Sequence, residues 1–318
     1  MTDGVMPVAD LLRDSPSNWG RWGADDEVGA LNYLTPEIVI EAARLVRKGA
    51  VFTLQAPMAH PDGDPVVAGR TGAQREMVCD KVSYTSGDLA PFPGGIEYAD
   101  DTMTCFLQGS TQYDALGHAW YDDRLWNGYD AASTVGGLSK ASVLPIAERG
   151  VVGRGVLLDL ARHRDKKVLA SGETFGLDDL LSCAEQQGVQ LRPRDIVVLR
   201  TGWIGWYYTG GRDDVTGTPE PGLQYSRELV EWFHRTEIPN LVTDTMANEV
   251  AVDPATGIGI PLHGALMRNL GISMTETALL DELAADCADD GCYEFLYAAA
   301  PLKVVDAAGS PVNPIAIK

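Results

Sequence analysis

Two short runs, GVLLDLA at 155–161 and DIVVLRTGW at 195–203, are apolar without alternation. A strand with one wet face alternates apolar and polar residues, so a continuous run belongs to a strand covered on both faces. NLVTDT at 240–245 is a further strand, and helical stretches at 174–188 and 224–235 lie between these runs. Strands and helices in this succession confine the chain to an α/β arrangement.

The flanking segments add elements of less regular pairing. Residues 36–48 carry an early proline, apolar residues at helical spacing, Lys/Arg near the end and Gly49 as a stop, which predicts a helix. VFTLQAPM after it reads as a strand, TMTCFLQ at 102–108 alternates as a strand should, and PLHGALMRNLG at 261–271 reads as a helix ended by glycine. ISMTET and the helix-like ALLDELA follow. Residues 60–75 form a Gly/Pro/Asp loop long enough to expect a functional role or a lid. No internal repeat or low-complexity tract interrupts the chain. The expectation is one α/β domain over 1–318, with 1–17 as a flexible N-terminal segment.

Charge limits the partners. The net charge is −20 over 318 residues, and binding to phosphate backbones or anionic membranes needs clustered cations. Neither nucleic acid nor a membrane is an expected partner. The five cysteines are odd in number and irregularly spaced, which fits neither a disulfide framework nor a structural zinc site. The first residues lack the apolar core of a signal peptide, and no run of about 18 apolar residues is present, so the expected location is cytoplasmic.

The segment richest in chemistry is Gln108-Gly-Ser-Thr-Gln112-Tyr-Asp114-Ala-Leu-Gly-His118. It places a carboxylate four residues from a histidine, with two amides and two hydroxyls before them. In a straight strand, Gln108 and Gln112 would lie about 13 Å apart at ~3.3 Å per residue, too far to share one small ligand. Gly109-Ser110-Thr111 must therefore bend the chain if both glutamines act at one place. Gln112 and Asp114 alternate onto one face, which lets both point into a common cavity. Spacing alone equally allows a polar turn that ends a strand, with His118 capping a loop.

This segment resembles the H-x-G-T-H-x-D-x-x-x-H motif of the cyclase family, which includes bacterial kynurenine formamidase and isatin hydrolase. GVLLDLA, VVLRTGW, the TDT…DPATGIGIPLH passage and the closing AAPLKVVDAAGSPV follow in the family's order, and NWGRWGADDEVGALNYLTPE resembles the start of its longer bacterial members. The likeness spans residues 18–318. It implies a single swivelling β/β/α domain, assembled as a homodimer or homotetramer. It also implies a divalent metal, zinc or manganese, held by two motif histidines and the motif aspartate with a later histidine and glutamate. The aspartate falls on Asp114, the final motif histidine on His118, and the later pair on His263 and Glu276 with one extra residue between them. The two ligand histidines fall on Gln108 and Gln112, a departure from the motif.

An amide offers a neutral, hard carbonyl oxygen where imidazole offers nitrogen. Gln108, Gln112, Asp114, His263 and Glu276 would supply four oxygens and one nitrogen, a set that favours manganese, magnesium or calcium over zinc and weakens transition-metal binding. The alternative is that the metal is gone and the two amides donate hydrogen bonds to a substrate carbonyl.

The resemblance makes His118 the general base and acid, a role that suits an unperturbed imidazole near pH 6.5. Asp114 would orient it, with Trp22, Trp120 and Tyr121 clamping a flat substrate; packing is the alternative for these aromatics and for Trp19 and Trp203. Arg200 pairs either an acidic substrate group or a buried carboxylate, and His60, His163 and His234 are expected to be solvated. The functional expectation is a hydrolase of a C–N or lactone bond in a small aromatic or cyclic substrate. The alternatives are a metal-independent cyclase or dehydratase in the same pocket, and a small-molecule-binding relative without catalysis.

Overall fold

A computed structural model describes residues 4–67, 69–211 and 219–318. Its strands are β1 (Val51–Thr53), β2 (Gln74–Cys79), β3 (Asp100–Thr104), β4 (Gln112–Asp114), β5 (Val151–Asp159), β6 (Thr174–Phe175), β7 (Ile196–Arg200), β8 (Gly222–Leu223), β9 (Asn240–Thr243), β10 (Ser273–Glu276), β11 (Glu294–Ala299), β12 (Gly309–Pro311) and β13 (Ile315–Ile317). Nine of them form one sheet in the order β1-β13-β11-β5-β7-β9-β10-β4-β12. The centre, β5-β7-β9-β10, is parallel, and both flanks are antiparallel.

The unalternating runs occupy this parallel centre. Leu157, Val198, Leu199, Leu241, Val242 and Met274 are all fully buried. Side chains on both pleats are covered, and each contributes about 1.5–3 kcal/mol by leaving water. Gly155 pairs with Phe295 across β5 and β11, and a Cβ there would lie 2.3 Å from the phenyl ring, so the glycine makes room for it. The mixed α/β architecture expected from the sequence is present. All five cysteines are free.

Several boundaries moved, each for a tertiary reason. The helix expected over 36–48 is Pro36–Ala43, because the Lys48 and Gly49 amides are taken by the carbonyl of Lys318 at 3.0 and 2.7 Å. The helix expected from 174 is Leu177–Gln187, preceded by the short strand β6. The helix expected from 224 starts at Arg227, where Ser226 Oγ accepts the Leu229 amide at 3.0 Å and caps it. The segment 261–271 contains a π-wound helix, His263–Asn269. The strand expected at 102–108 fails beyond Thr104. The Gly109 amide closes a turn onto the Phe106 carbonyl at 3.0 Å, and the chain enters the main sheet only at Gln112.

In the segment 1–17, Val8–Leu11 form one helical turn and Leu12 is buried in the core. The loop 60–75 is tied by Asp64, which accepts the amides of Ala59, His60 and Ala73 at 3.0, 2.9 and 2.8 Å. Among the described residues, no helix is long and apolar enough to cross a membrane.

Candidate active site

The site forms where β10 meets β4. Glu276 stands opposite Gln112 in the antiparallel register, and Asp114 stands opposite Gly309 of β12. Period-two alternation puts Gln112 and Asp114 on one face. Gln112 Nε2 donates to Glu276 Oε2 at 2.7 Å, and Asn248 Nδ2 donates to Glu276 Oε1 at 3.2 Å. His263 presents Nε2 to Glu276 Oε1 at 3.5 Å. One ligand-type atom from each of Asp114, His263 and Glu276 lies within 4.8 Å of the others.

Glu249 fixes the histidine. It accepts the amides of Leu262 and His263, both at 2.7 Å, and His263 Nδ1 at 2.6 Å. This sets the ring so that Nε2 faces the cluster, the usual arrangement behind a metal-binding imidazole. Burial alone would lower the His263 pKa, but the carboxylates of Glu249 and Glu276 outweigh it and hold the imidazole well above its ordinary value.

Four buried acceptors in this cluster find no protein partner: both carboxylate oxygens of Asp114, Gln112 Oε1 and Asn248 Oδ1. Buried polar atoms are nearly always satisfied, and an unpaired buried charge is costly. Burial, and then the negative charge of Glu276, push the Asp114 carboxyl well above the ordinary range. Two carboxylates, two amide oxygens and one imidazole suit a divalent cation that prefers oxygen ligands.

The backbone here is strained. Thr277 adopts a left-handed φ of 58°, unusual for a β-branched residue and worth about 1–3 kcal/mol. Its amide donates to the Thr245 carbonyl at 2.8 Å and its carbonyl accepts Thr111 Oγ1 at 2.6 Å. Thr111 Oγ1 also accepts the Ala56 amide at 2.8 Å. Ala56 belongs to a second apolar cluster with Trp203, Ile204 and Tyr207, against which Trp206, Tyr208, Met246 and Leu279 pack. This aromatic cluster is joined to the strand that carries Gln112 and Asp114 through the Ala56 amide and Thr111.

His118 follows Asp114 by one turn of chain. Burial, and then the positive charge of His263, lower its pKa to about 4, below the ordinary imidazole value expected from the sequence. Its imidazole is therefore neutral at pH 7. Arg70, from the loop 60–75, is felt electrostatically at both Asp114 and His118, and its Nη1 donates to the Gln108 carbonyl at 2.7 Å. The Gln108 amide packs against Gly309, where a Cβ would lie 2.5 Å from Nε2, and that nitrogen is buried without a partner.

Gln112, Asp114, His263 and Glu276 are therefore brought together. Trp22 packs edge-on to Tyr33 and against Trp126, and Tyr121 lies over Arg268 and bonds Asn269 at 3.0 Å, so both rings are engaged in packing. Trp120 is nearly half exposed. Arg200 pairs with Asp159 and Asp281 at 2.8 and 2.6 Å, which makes its partners carboxylates of the fold. His163 bonds Gln186 and Ser182, His60 lies beside Tyr208, and His234 is lowered by burial.

Sequence reasoning missed Glu249, Asn248, Arg70 and Glu220. Glu220 Oε2 accepts the Met246 amide at 2.5 Å, and burial pushes its carboxyl up to about 8. The dipeptide Asn248-Glu249 before the DPATGIGIPLH passage was the available signal.

The Cyclase family matches residues 60–250 of this chain. A crystal structure described as a novel cyclase is 38% identical, covers 95% of this chain and 100% of its own, and superposes with a TM-score of 0.86. Isatin hydrolase A from Ralstonia solanacearum is 18% identical with a TM-score of 0.62, covering 89% of this chain and 97% of its own. Isatin hydrolase A from Labrenzia aggregata, bound to benzyl benzoate, is 19% identical with a TM-score of 0.59, covering 90% and 98%. These two share the fold. No curated protein matches the sequence.

Proposed function

The chain belongs to the cyclase family, and on that premise we propose that it is a hydrolase opening a C–N or lactone bond in a small aromatic or cyclic substrate. The observation that carries the proposal is the convergence of Asp114, His263 and Glu276 with the unpaired oxygens of Gln112 and Asn248, one turn of chain from a neutral His118. Asp114, Gln112, His263 and Glu276, with Asn248, would hold a divalent cation, manganese or a similar oxygen-preferring ion. When bound, such an ion polarises a carbonyl and acidifies water.

The remaining work falls to the chain's own groups. Glu249 accepts from His263 Nδ1 and so turns Nε2 toward the cluster. A free imidazole nitrogen of His118 takes the proton of the attacking water and returns it to the leaving nitrogen or oxygen. The aromatic cluster of Trp203, Trp206, Tyr207 and Tyr208, joined to the site through Ala56 and Thr111, is the candidate wall for an aromatic or cyclic substrate. The isatin hydrolases' substrate is a cyclic amide of this shape, which makes isatin, formanilide and dihydrocoumarin suitable test compounds.

His118→Gln tests the proposal on whichever compound is turned over. The amide keeps hydrogen bonding but carries no proton at neutral pH. Turnover should fall by about 100-fold or more, with the fold intact by circular dichroism. Near-normal turnover in the variant would remove His118 from the mechanism.

A further inference from the structure

Arg70, on the loop 60–75, is partly buried. Its Nη1 donates to the Gln108 main-chain carbonyl at 2.7 Å, and among the described residues it pairs with no carboxylate. Scarcity does not explain this, because the chain has 45 Asp and Glu for 25 Lys and Arg. Nor is the guanidinium a simple counter-charge for Asp114. Its charge is felt there and at His118, yet both Asp114 oxygens are buried without a protein partner. A neutralising arginine would bond them, whereas this one is held on a neutral carbonyl. One contact leaves most of the guanidinium's N–H donors uncommitted.

A second donor lies alongside. The Gln108 side-chain amide packs against Gly309, which stands opposite Asp114, and its Nε2 is buried without a partner. The cluster therefore has two unlike sides. Asp114, Gln112 and Asn248 present acceptors without donors, which suits a cation; Arg70 and Gln108 present donors without acceptors, which suits an anion. The loop is fixed before any ligand arrives. Asp64 accepts the amides of Ala59, His60 and Ala73, and the Arg70 amide donates to the Val67 carbonyl at 3.0 Å. A group held in place in advance loses little freedom on binding.

We propose that Arg70 recognises a carboxylate on the molecule bound at this site, so that the substrates are aromatic or cyclic amides or lactones that also carry a carboxylate. The inference rests on the hydrolase reading for the bond that is cleaved, but the carboxylate contact itself needs no cleavage. The planar guanidinium fork matches the two oxygens of a carboxylate. Charge favours a monoanion: Asp114 and Glu276 already stand in the cluster, and one guanidinium does not offset a doubly charged phosphate beside them.

Calorimetric titration with compounds that have no bond to hydrolyse tests this. Aniline is the neutral probe, and the ortho, meta and para aminobenzoates add a carboxylate at three positions. At least one aminobenzoate should bind the wild type about 10–100-fold more tightly than aniline, the range of a hydrogen bond to a charged group. Arg70→Met should abolish this preference and leave aniline binding within about twofold; loss of a merely structural brace would weaken both probes alike. Arg75→Met removes the same charge from an exposed position paired with Asp101 and should keep the preference. A wild type without the preference, including one that binds no probe, overturns the proposal. So does a preference that survives Arg70→Met, or a loss common to both probes. A preference that Arg70→Met abolishes supports the proposal even if no amide or lactone is turned over, in which case the hydrolase reading alone fails. Should Arg70→Met misfold, hydrogen exchange on the wild type decides. Amides of 69–73 should slow with the tightest aminobenzoate and not with aniline, and equal exchange with both overturns the proposal.

Discussion

Glu249→Gln removes one negative charge and almost no volume. The carboxylate accepts three hydrogen bonds, from the amides of Leu262 and His263 and from His263 Nδ1. A glutamine keeps a carbonyl for one side of this set but turns an NH₂ toward the other, so at least one buried donor loses its acceptor. Such a loss costs about 1–3 kcal/mol of folding stability. The effect on a cation held at His263 Nε2 is separate. A partner behind a ligand imidazole is worth roughly 10–100-fold in metal affinity, or about 1.4–2.7 kcal/mol. Glu249 also helps to hold His263 protonated when no cation is present, which partly offsets the loss at low pH. The affinity difference should therefore widen as pH rises. Calorimetric titration of metal-stripped protein with Mn²⁺ at pH 7 and pH 8.5, alongside thermal unfolding, separates the two effects. A folded Glu249→Gln variant that binds Mn²⁺ within twofold of wild type at both pH values would refute the assigned role of Glu249.

Other consequences are open to similar tests. The base role proposed for His118 requires the neutral imidazole, and burial lowers its pKa to about 4, so kcat/KM should rise with pH through about 4 and show no limb from this residue between 6 and 7; a limb near 6.5 that disappears in His118→Gln would contradict the assignment. Its lowered pKa also means that the unfolded chain takes up that proton first. Stability from His118 is present above about pH 6.5 and is lost as pH falls toward 4, which urea unfolding at pH 7 and pH 5 measures in comparison with His118→Gln. Gln112→His should strengthen zinc binding by calorimetry, because it replaces an amide oxygen with an imidazole nitrogen beside Asp114; unchanged zinc affinity would show that position 112 is no ligand. Gly155→Ala places a methyl 2.3 Å from the Phe295 ring and should destabilise by about 1–3 kcal/mol, read as a fall in Tm.

The parallel centre was legible because burial on both faces writes itself as an unbroken apolar run, as in Val156–Leu158 and Ile196–Leu199. The paired face of Gln112 and Asp114 was legible because alternation in a strand is strict. Elsewhere local pattern lost to distant partners. The helix at 36–48 reads to Gly49 on propensity alone, but the Lys318 carbonyl claims its final amides. TMTCFLQ has strand alternation, yet the turn from Phe106 to Gly109 divides it between the β2–β3 ribbon and the approach to the main sheet. Glu249 and Arg70 act through groups 14 and 38 residues away in the chain, and no spacing rule connects such pairs. The clustering of Trp203 with Trp206, Tyr207 and Tyr208 was hidden for the same reason, while Trp22 and Tyr121, expected to clamp a substrate, are engaged in packing.

Metal stoichiometry tests most directly the cation site proposed at Asp114, Gln112, His263 and Glu276. Protein purified and dialysed without added metal should carry well under one equivalent of zinc, since one imidazole and several oxygens hold zinc weakly. After stripping, the wild type should take up one equivalent of Mn²⁺ per chain with release of protons, as ligand binding by protonated groups requires. Asp114→Asn should bind none saturably. Absence of saturable binding in the wild type, or a full equivalent of zinc retained through dialysis, would contradict the account.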